Sequence, residues 1–312
     1  MIQLLNISAQ VGALFFYIFL GFIGRNKKIL NSEGDKVISD IIFYFTMPAL
    51  TITSMNFEVS SKQLTNAWLI LAASLLLVIL SYLITTLTAS YLSLPPKENY
   101  AFCFTSTFGN VTYLGFPVAY ILFGRLGVFY AAIYSLGHNF LFWILGVRLM
   151  QGHKHSGLDW RKVFNINVVA IIIGFTLALL HLQIPEVVFN PMNTLGQATI
   201  PLALILVGSM LAKSDIRLLT SKKILYLIIF VKLIFFPFLT LVALLFFSGW
   251  DNITRILIVM QTAMPVASIA PAVARKYDGD FKLVSEGVVV TTLFSLLTIP
   301  IWVWCLKFHI FT

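Results

Sequence analysis

Long apolar runs alternate with short polar punctuation along the chain, and within the runs apolar and polar residues do not alternate in twos. Windows 1–24, 63–96, 99–124, 126–147, 163–185 and 187–212 contain no Asp, Glu, Lys or Arg. Each is near or above the roughly 20 apolar residues that carry a helix across a bilayer. A membrane β-barrel would instead show short segments of alternating polarity. The pattern predicts an all-α polytopic membrane protein. With Gly, Pro, Asn and Lys as boundaries, ten spans fall near 7–24, 37–55, 67–92, 99–123, 126–149, 163–182, 191–212, 222–248, 253–275 and 284–308.

Composition excludes the soluble alternative: of 312 residues, 59% are hydrophobic and 11% charged, against about a quarter charged in soluble domains. Mean hydropathy is +0.93. A net charge of +9 would suggest a nucleic-acid partner in a soluble protein, but here it tracks topology. Alternate connections hold 16 of the Lys and Arg residues, against Lys62, Arg125, Arg255 and Lys307 on the other side, with Lys232 inside span 8. By the positive-inside rule the first set is cytoplasmic and both termini lie outside, as expected of a multi-pass membrane protein. Cys103 and Cys305 fall in apolar runs and suggest neither a disulfide framework nor a metal quartet. Residues 1–10 lack the basic start of a cleavable signal, so span 1 is expected to stay.

The polar stretch 148–162 separates two sets of five spans. The expected organisation is a first repeat over 1–150, a cytoplasmic linker over 151–162 and a second repeat over 163–312. Pro48 and Pro201 are 153 residues apart, and Pro117 and Pro271 are 154 apart. With an odd number of spans in each half, the second enters from the opposite face, which makes the repeat inverted.

Spans 4 and 9 are poor helices at their centres. Span 4 carries Gly109, Asn110, Gly115 and Pro117, and span 9 carries Pro265 and Pro271. Proline removes an amide donor and pushes its predecessor away from helical angles. Non-helical backbone at this depth is tolerated only when it is buried in protein or lines a cavity. Paired broken helices at matching positions of inverted repeats mark the binding site of many secondary transporters. The half-helix N-termini there suit an anion.

Gly109-Asn110-Val111-Thr112-Tyr113-Leu114-Gly115-Phe116-Pro117, followed by Phe123-Gly124, resembles the span-4 signature of the auxin efflux carrier family. That family includes plant auxin carriers and bacterial small-carboxylate permeases, and belongs with the bile acid/sodium symporter-like carriers. Later blocks are similar too: Ile200-Pro201-Leu202-Ala203, Val207-Gly208-Ser209-Met210-Leu211, Met264-Pro265-Val266-Ala267, Ser285-Glu286-Gly287 and Thr298-Ile299-Pro300. The resemblance implies crossed broken helices 4 and 9, a scaffold of helices 1, 2, 6 and 7, a mobile transport domain of helices 3–5 and 8–10, a homodimer and elevator-type motion. The short central connection, 148–162, favours a bacterial-type carrier over the plant proteins.

The expected substrate is a small organic anion such as a carboxylate, exported or exchanged, and held near Asn110, Thr112, Tyr113, Asn139, Gln261, Pro265 and Ser268. Lys232, Asp40 and Glu286 are candidates for charge pairing or coupling, since a charge deep in a bilayer usually faces a cavity or a partner. His138 ranks lower, as a lone membrane histidine is usually a packed residue. No HExxH, GxSxG or P-loop motif is present, and no cofactor or resident metal is expected. His153 and His155 could hold a metal, although a solvated loop is the simpler reading. The alternatives are a sodium-coupled symporter of the bile-acid carrier type and a membrane receptor or channel.

Overall fold

The computed structural model describes residues 2–151, 160–213, 222–246 and 249–310, and these are helical apart from turns and one isolated antiparallel β-bridge. The His153–His155 pair and most of the central linker lie outside the described residues. The helices are α1 (Ile2–Asn26), α2 (Ser32–Ile41), α3 (Met47–Ser54), α4 (Ser61–Tyr91), α5 (Pro96–Thr107), α6 (Gly115–Leu141), α7 (Val147–Gln151), α8 (Trp160–Val163) and α9 (Ile166–Leu179). They continue as α10 (Glu186–Gln197), α11 (Thr199–Ala212), α12 (Lys223–Phe230), α13 (Phe236–Leu245), α14 (Asn252–Thr262), α15 (Ala270–Lys276) and α16 (Phe281–Cys305).

Among the described residues six continuous helical stretches are long and apolar enough to cross a membrane: Ser32–Ser54, Ser61–Tyr91, Gly115–Gln151, Glu186–Ala212, Lys223–Leu245 and Phe281–Cys305. The stretch Leu14–Asn26 of α1 and the helix Ile166–Leu179 (α9) are apolar but shorter. Span 7, expected from 191, begins instead at Glu186 and carries Pro191 inside α10. An internal proline removes one hydrogen bond and bends a helix without necessarily ending it. Helix starts follow local chemistry: Asn31, Asn165, Asp251 and Asp280 each accept a first-turn amide, for example Thr254 N–H to Asp251 Oδ1 at 2.8 Å.

The chain divides into two compact units that interleave in sequence. The first comprises Met1–Ala67, Thr112–Ile133 and Phe164–Ser214. The second comprises Trp68–Val111, Tyr134–Val163 and Asp215–Thr312.

In the first unit α1 packs against α11 through glycines used reciprocally. A β-carbon at Gly21 would strike the Ile205 carbonyl, and one at Gly208 would strike that of Ile18. Small residues are what allow such close backbone approach in lipid. At the polar end of this pair Arg25 binds Asp35 at 2.9 Å, Ser209 donates to the other Asp35 oxygen, and Ser32 accepts from both Arg25 and Lys213 at 3.2 Å. Helix α3 packs against α9 and α10 and follows a π-helical turn at Ile42–Thr46. Pro48, in the first turn of α3, has no N–H to offer backwards. The carbonyl of Phe43, five residues before it, accepts from Asn167 Nδ2 at 3.2 Å. Gly124, with φ 59°, makes a corner within α6 in the left-handed region that glycine adopts freely.

The second unit has an aromatic core. Phe104, Phe108 and Phe142 meet with ring centroids 5.2 to 5.4 Å apart. A second proline-linked π turn lies at Val231–Phe235, ahead of Pro237 in α13. Pro237 cannot donate to Leu233, four residues earlier, and Trp302 Nε1 supplies that bond at 2.9 Å. In both units, then, a π turn before a proline is completed by a side chain from another helix. Lys232 sits on the second of these turns.

Candidate functional site: the crossing of two interrupted helices

Helix is interrupted between Thr107 and Gly115, and again between Thr262 and Ala270. The prolines play unequal parts. Pro265 lies outside any helix, next to the bridge residue Val266, whereas Pro117 and Pro271 fall in the first turn of the helix that follows. A missing N–H is harmless there, because first-turn amides have no intrahelical partner. Gly115 is the first residue of α6. The interruption in span 4 starts at Phe108, whose φ −95° and ψ 116° are extended.

The two interruptions pair with each other inside the second unit. Asn110 N–H donates to Pro265 O at 2.7 Å and Ala267 N–H to Phe108 O at 3.1 Å, which makes Gly109 and Val266 one rung of an antiparallel ladder. Two side chains complete the rung. Gly109 N–H donates to His138 Nε2 at 3.2 Å, and Val266 N–H donates to Thr291 Oγ1 at 3.1 Å. The Thr291 hydroxyl itself donates to Gly287 O at 2.7 Å.

Four amides of the unwound segments are therefore not left open to a solute. The amides of Gly109, Asn110, Val266 and Ala267 are all bound within the protein. Leaving them open at this depth would cost on the order of several kcal/mol per group, the scale for an unbonded polar group in hydrocarbon. The crossing is therefore preformed. A ligand at the rung itself must be recognised by side chains.

Lys232 is the charged side chain at the rung. It is 4% exposed and donates to Thr107 O at 3.3 Å, a carbonyl in the last turn of α5. Such a carbonyl lacks an intrahelical donor and lies at the negative end of the helix dipole. A β-carbon at position 109 would come within 3.0 Å of Lys232 Nζ and 3.2 Å of Met264 O, so glycine there leaves room for the ammonium.

Of the other residues singled out in the sequence, Asn110, Gln261 and Pro265 are buried in the second unit, and Asn139 and Ser268 are half-buried there. Thr112 and Tyr113 belong to the first unit, where Tyr113 Oη lies 3.1 Å from Ser39 Oγ. Glu286 is 3% exposed, with Lys222 Nζ 3.6 Å from one carboxylate oxygen. Asp40 is exposed on α2. His138, Thr291 and Trp302 are residues that the sequence alone ranks low or passes over. Only their spacing from a proline or a broken segment could draw attention to them.

The membrane transport protein family matches this chain over residues 6–159 and 154–303, so the chain belongs to that family, the auxin efflux carrier group that its span-4 motif resembles. It is a membrane transporter. Among similar proteins, an uncharacterized transporter of Methanocaldococcus jannaschii is 27% identical over 93% of this chain and 95% of its own length. A second, of Methanothermobacter thermautotrophicus, is 24% identical over 91% and 93%. A Rhizobium meliloti protein named "Putative malonate transporter" is 22% identical over 94% of each chain.

Proposed function

We propose that this transporter is a secondary carrier that exports or exchanges a small organic anion, with a carboxylate as the substrate class. The observation that carries the reading is the preformed crossing, with a buried ammonium set against its central glycine. Malonate, in the name of the Rhizobium relative, is the first substrate to test.

The carrier works by elevator-type alternating access as a homodimer of ten-span protomers, built as an inverted five-plus-five repeat with both termini outside. Spans 1, 2, 6 and 7 form the scaffold and the remaining spans the transport domain. The division into compact units supports this assignment: the first unit holds those four spans together with residues 112–133. The two family matches, which meet at 154–159 in the central connection, support a chain in two halves. Lys232, bound to the carbonyl end of α5, weighs against a sodium-coupled symport that would bring a cation to the same end.

Uptake of radiolabelled malonate into proteoliposomes tests the reading. Asn110→Ala keeps the main-chain bond to Pro265 and removes only the amide side chain, so the protein stays folded and uptake is abolished. Wild-type uptake by that variant would remove Asn110 from the site.

A further inference from the structure

Two buried side chains approach Gly109 with hydrogen-bonding capacity unused. Lys232 has three N–H donors, and the structure gives it one bond, to Thr107 O at 3.3 Å. Among the described residues no carboxylate lies within ion-pair distance of it; Glu286, the buried acid of the same unit, faces Lys222. A buried ammonium without an anion is costly, and a helix dipole offers only about half a charge in return.

His138, 3% exposed, completes the pair. Its Nε2 accepts from Gly109 N–H, so that nitrogen carries no hydrogen and the proton of the neutral ring is on Nδ1. Nδ1 makes no hydrogen bond of good geometry among the described residues, and the Asn139 side chain is the polar group in reach of it. The ring is held by Phe108, edge-on at 5.8 Å, and by Tyr134, stacked at 6.5 Å. Lys232 lies within Coulombic reach of the ring.

Resting on the reading of an anion carrier, we infer that a substrate carboxylate binds in the second unit beside Gly109, paired with the Lys232 ammonium and hydrogen-bonded by His138 Nδ1–H. The solute's charge is met by these two side chains, because the rung amides are already engaged. Lys232 balances one negative charge. The second charge of a dicarboxylate falls to neighbouring polar groups such as Asn110 and Gln261. His138 has a double role: its acceptor nitrogen holds the crossing and its donor nitrogen holds the ligand.

Purified full-length protein in proteoliposomes, with labelled malonate as probe and uncharged malonamide as competitor, tests this. Lys232→Met lowers apparent malonate affinity at least about thirtyfold, the scale for losing one partner of a buried charge pair, while Lys232→Arg retains part of it. His138→Met leaves only a weak sulfur acceptor and no donor in place of the ring, so KM rises about tenfold, while His138→Gln, whose amide supplies both an acceptor oxygen for Gly109 N–H and a donor N–H, keeps KM near the wild-type value; melting temperatures control for folding. If Lys232→Met does not fold, Gly109→Ala serves in its place: it keeps both side chains, crowds the ammonium and weakens binding. Malonamide does not compete. Wild-type KM in folded His138→Met together with folded Lys232→Met or Gly109→Ala, or equal competition by malonamide, overturns the inference while leaving a carboxylate carrier standing. A wild-type protein that moves no carboxylate overturns the carrier reading itself.

Discussion

Arg25 in the first unit and Lys232 in the second are both cations shielded from solvent, and they are held in opposite ways. Arg25 closes a network: Asp35 takes its charge at 2.9 Å, Ser209 takes the other Asp35 oxygen, and Ser32 joins Arg25 to Lys213. Lys232 has one carbonyl and, among the described residues, no acid. A closed network uses its electrostatics to fix helix ends that lie far apart in sequence. An open one keeps an attraction available for a ligand. Burial of a charge therefore does not mark a site in this protein; the incompleteness of its partners does.

The contrast can be broken most severely at Asp35. Asp35→Ala leaves Arg25 without its counter-charge and costs about 3 kcal/mol of stability, the low end for breaking a shielded pair. Apparent KM per folded carrier stays at the wild-type value. Chemical unfolding in detergent together with uptake normalised to folded protein checks both halves of that statement. Replacing the pair as Arg25→Met with Asp35→Leu recovers most of the loss, to within about 1 kcal/mol of wild type, since no orphan charge remains. Trp302→Phe removes the donor to Leu233 O and costs about 1 kcal/mol. It also raises KM, because the π turn it completes carries Lys232. The smallest effect is at Lys213→Met, on the exposed rim of the closed network: a stability change within about 0.5 kcal/mol by the same unfolding measurement.

The places where helix fails are legible in the sequence. Glycine, asparagine and proline in the middle of an apolar run leave few alternatives, and residues 108–114 and 263–269 are non-helical as those residue types dictate. What joins the two gaps is not legible, since Gly109 and Val266 are 157 positions apart and main-chain bonds leave no trace in side-chain identity. For the same reason the sequence does not show that the amides of Gly109, Asn110, Val266 and Ala267 are satisfied inside the protein. His138 is obscured differently. In an apolar run a histidine that accepts from a peptide and one that merely packs look alike. The Arg25, Asp35 and Ser209 network reads as loop charge setting topology, because a partner 174 residues away cannot be seen in local spacing. The π turns before Pro48 and Pro237 escape a sequence reading because proline announces a lost bond, and which distant side chain compensates for it depends on packing.

The single rung at Gly109 and Val266 also bears on how such a protein can change over time. Its main-chain bonds are indifferent to side-chain identity, so residues beside it are free to vary without unpinning the two segments. Position 109, where any side chain meets Lys232, is an exception, and so are His138 and Thr291, whose side chains complete the rung. A scaffold of this kind allows substrate preference to drift through neighbouring substitutions while its architecture persists.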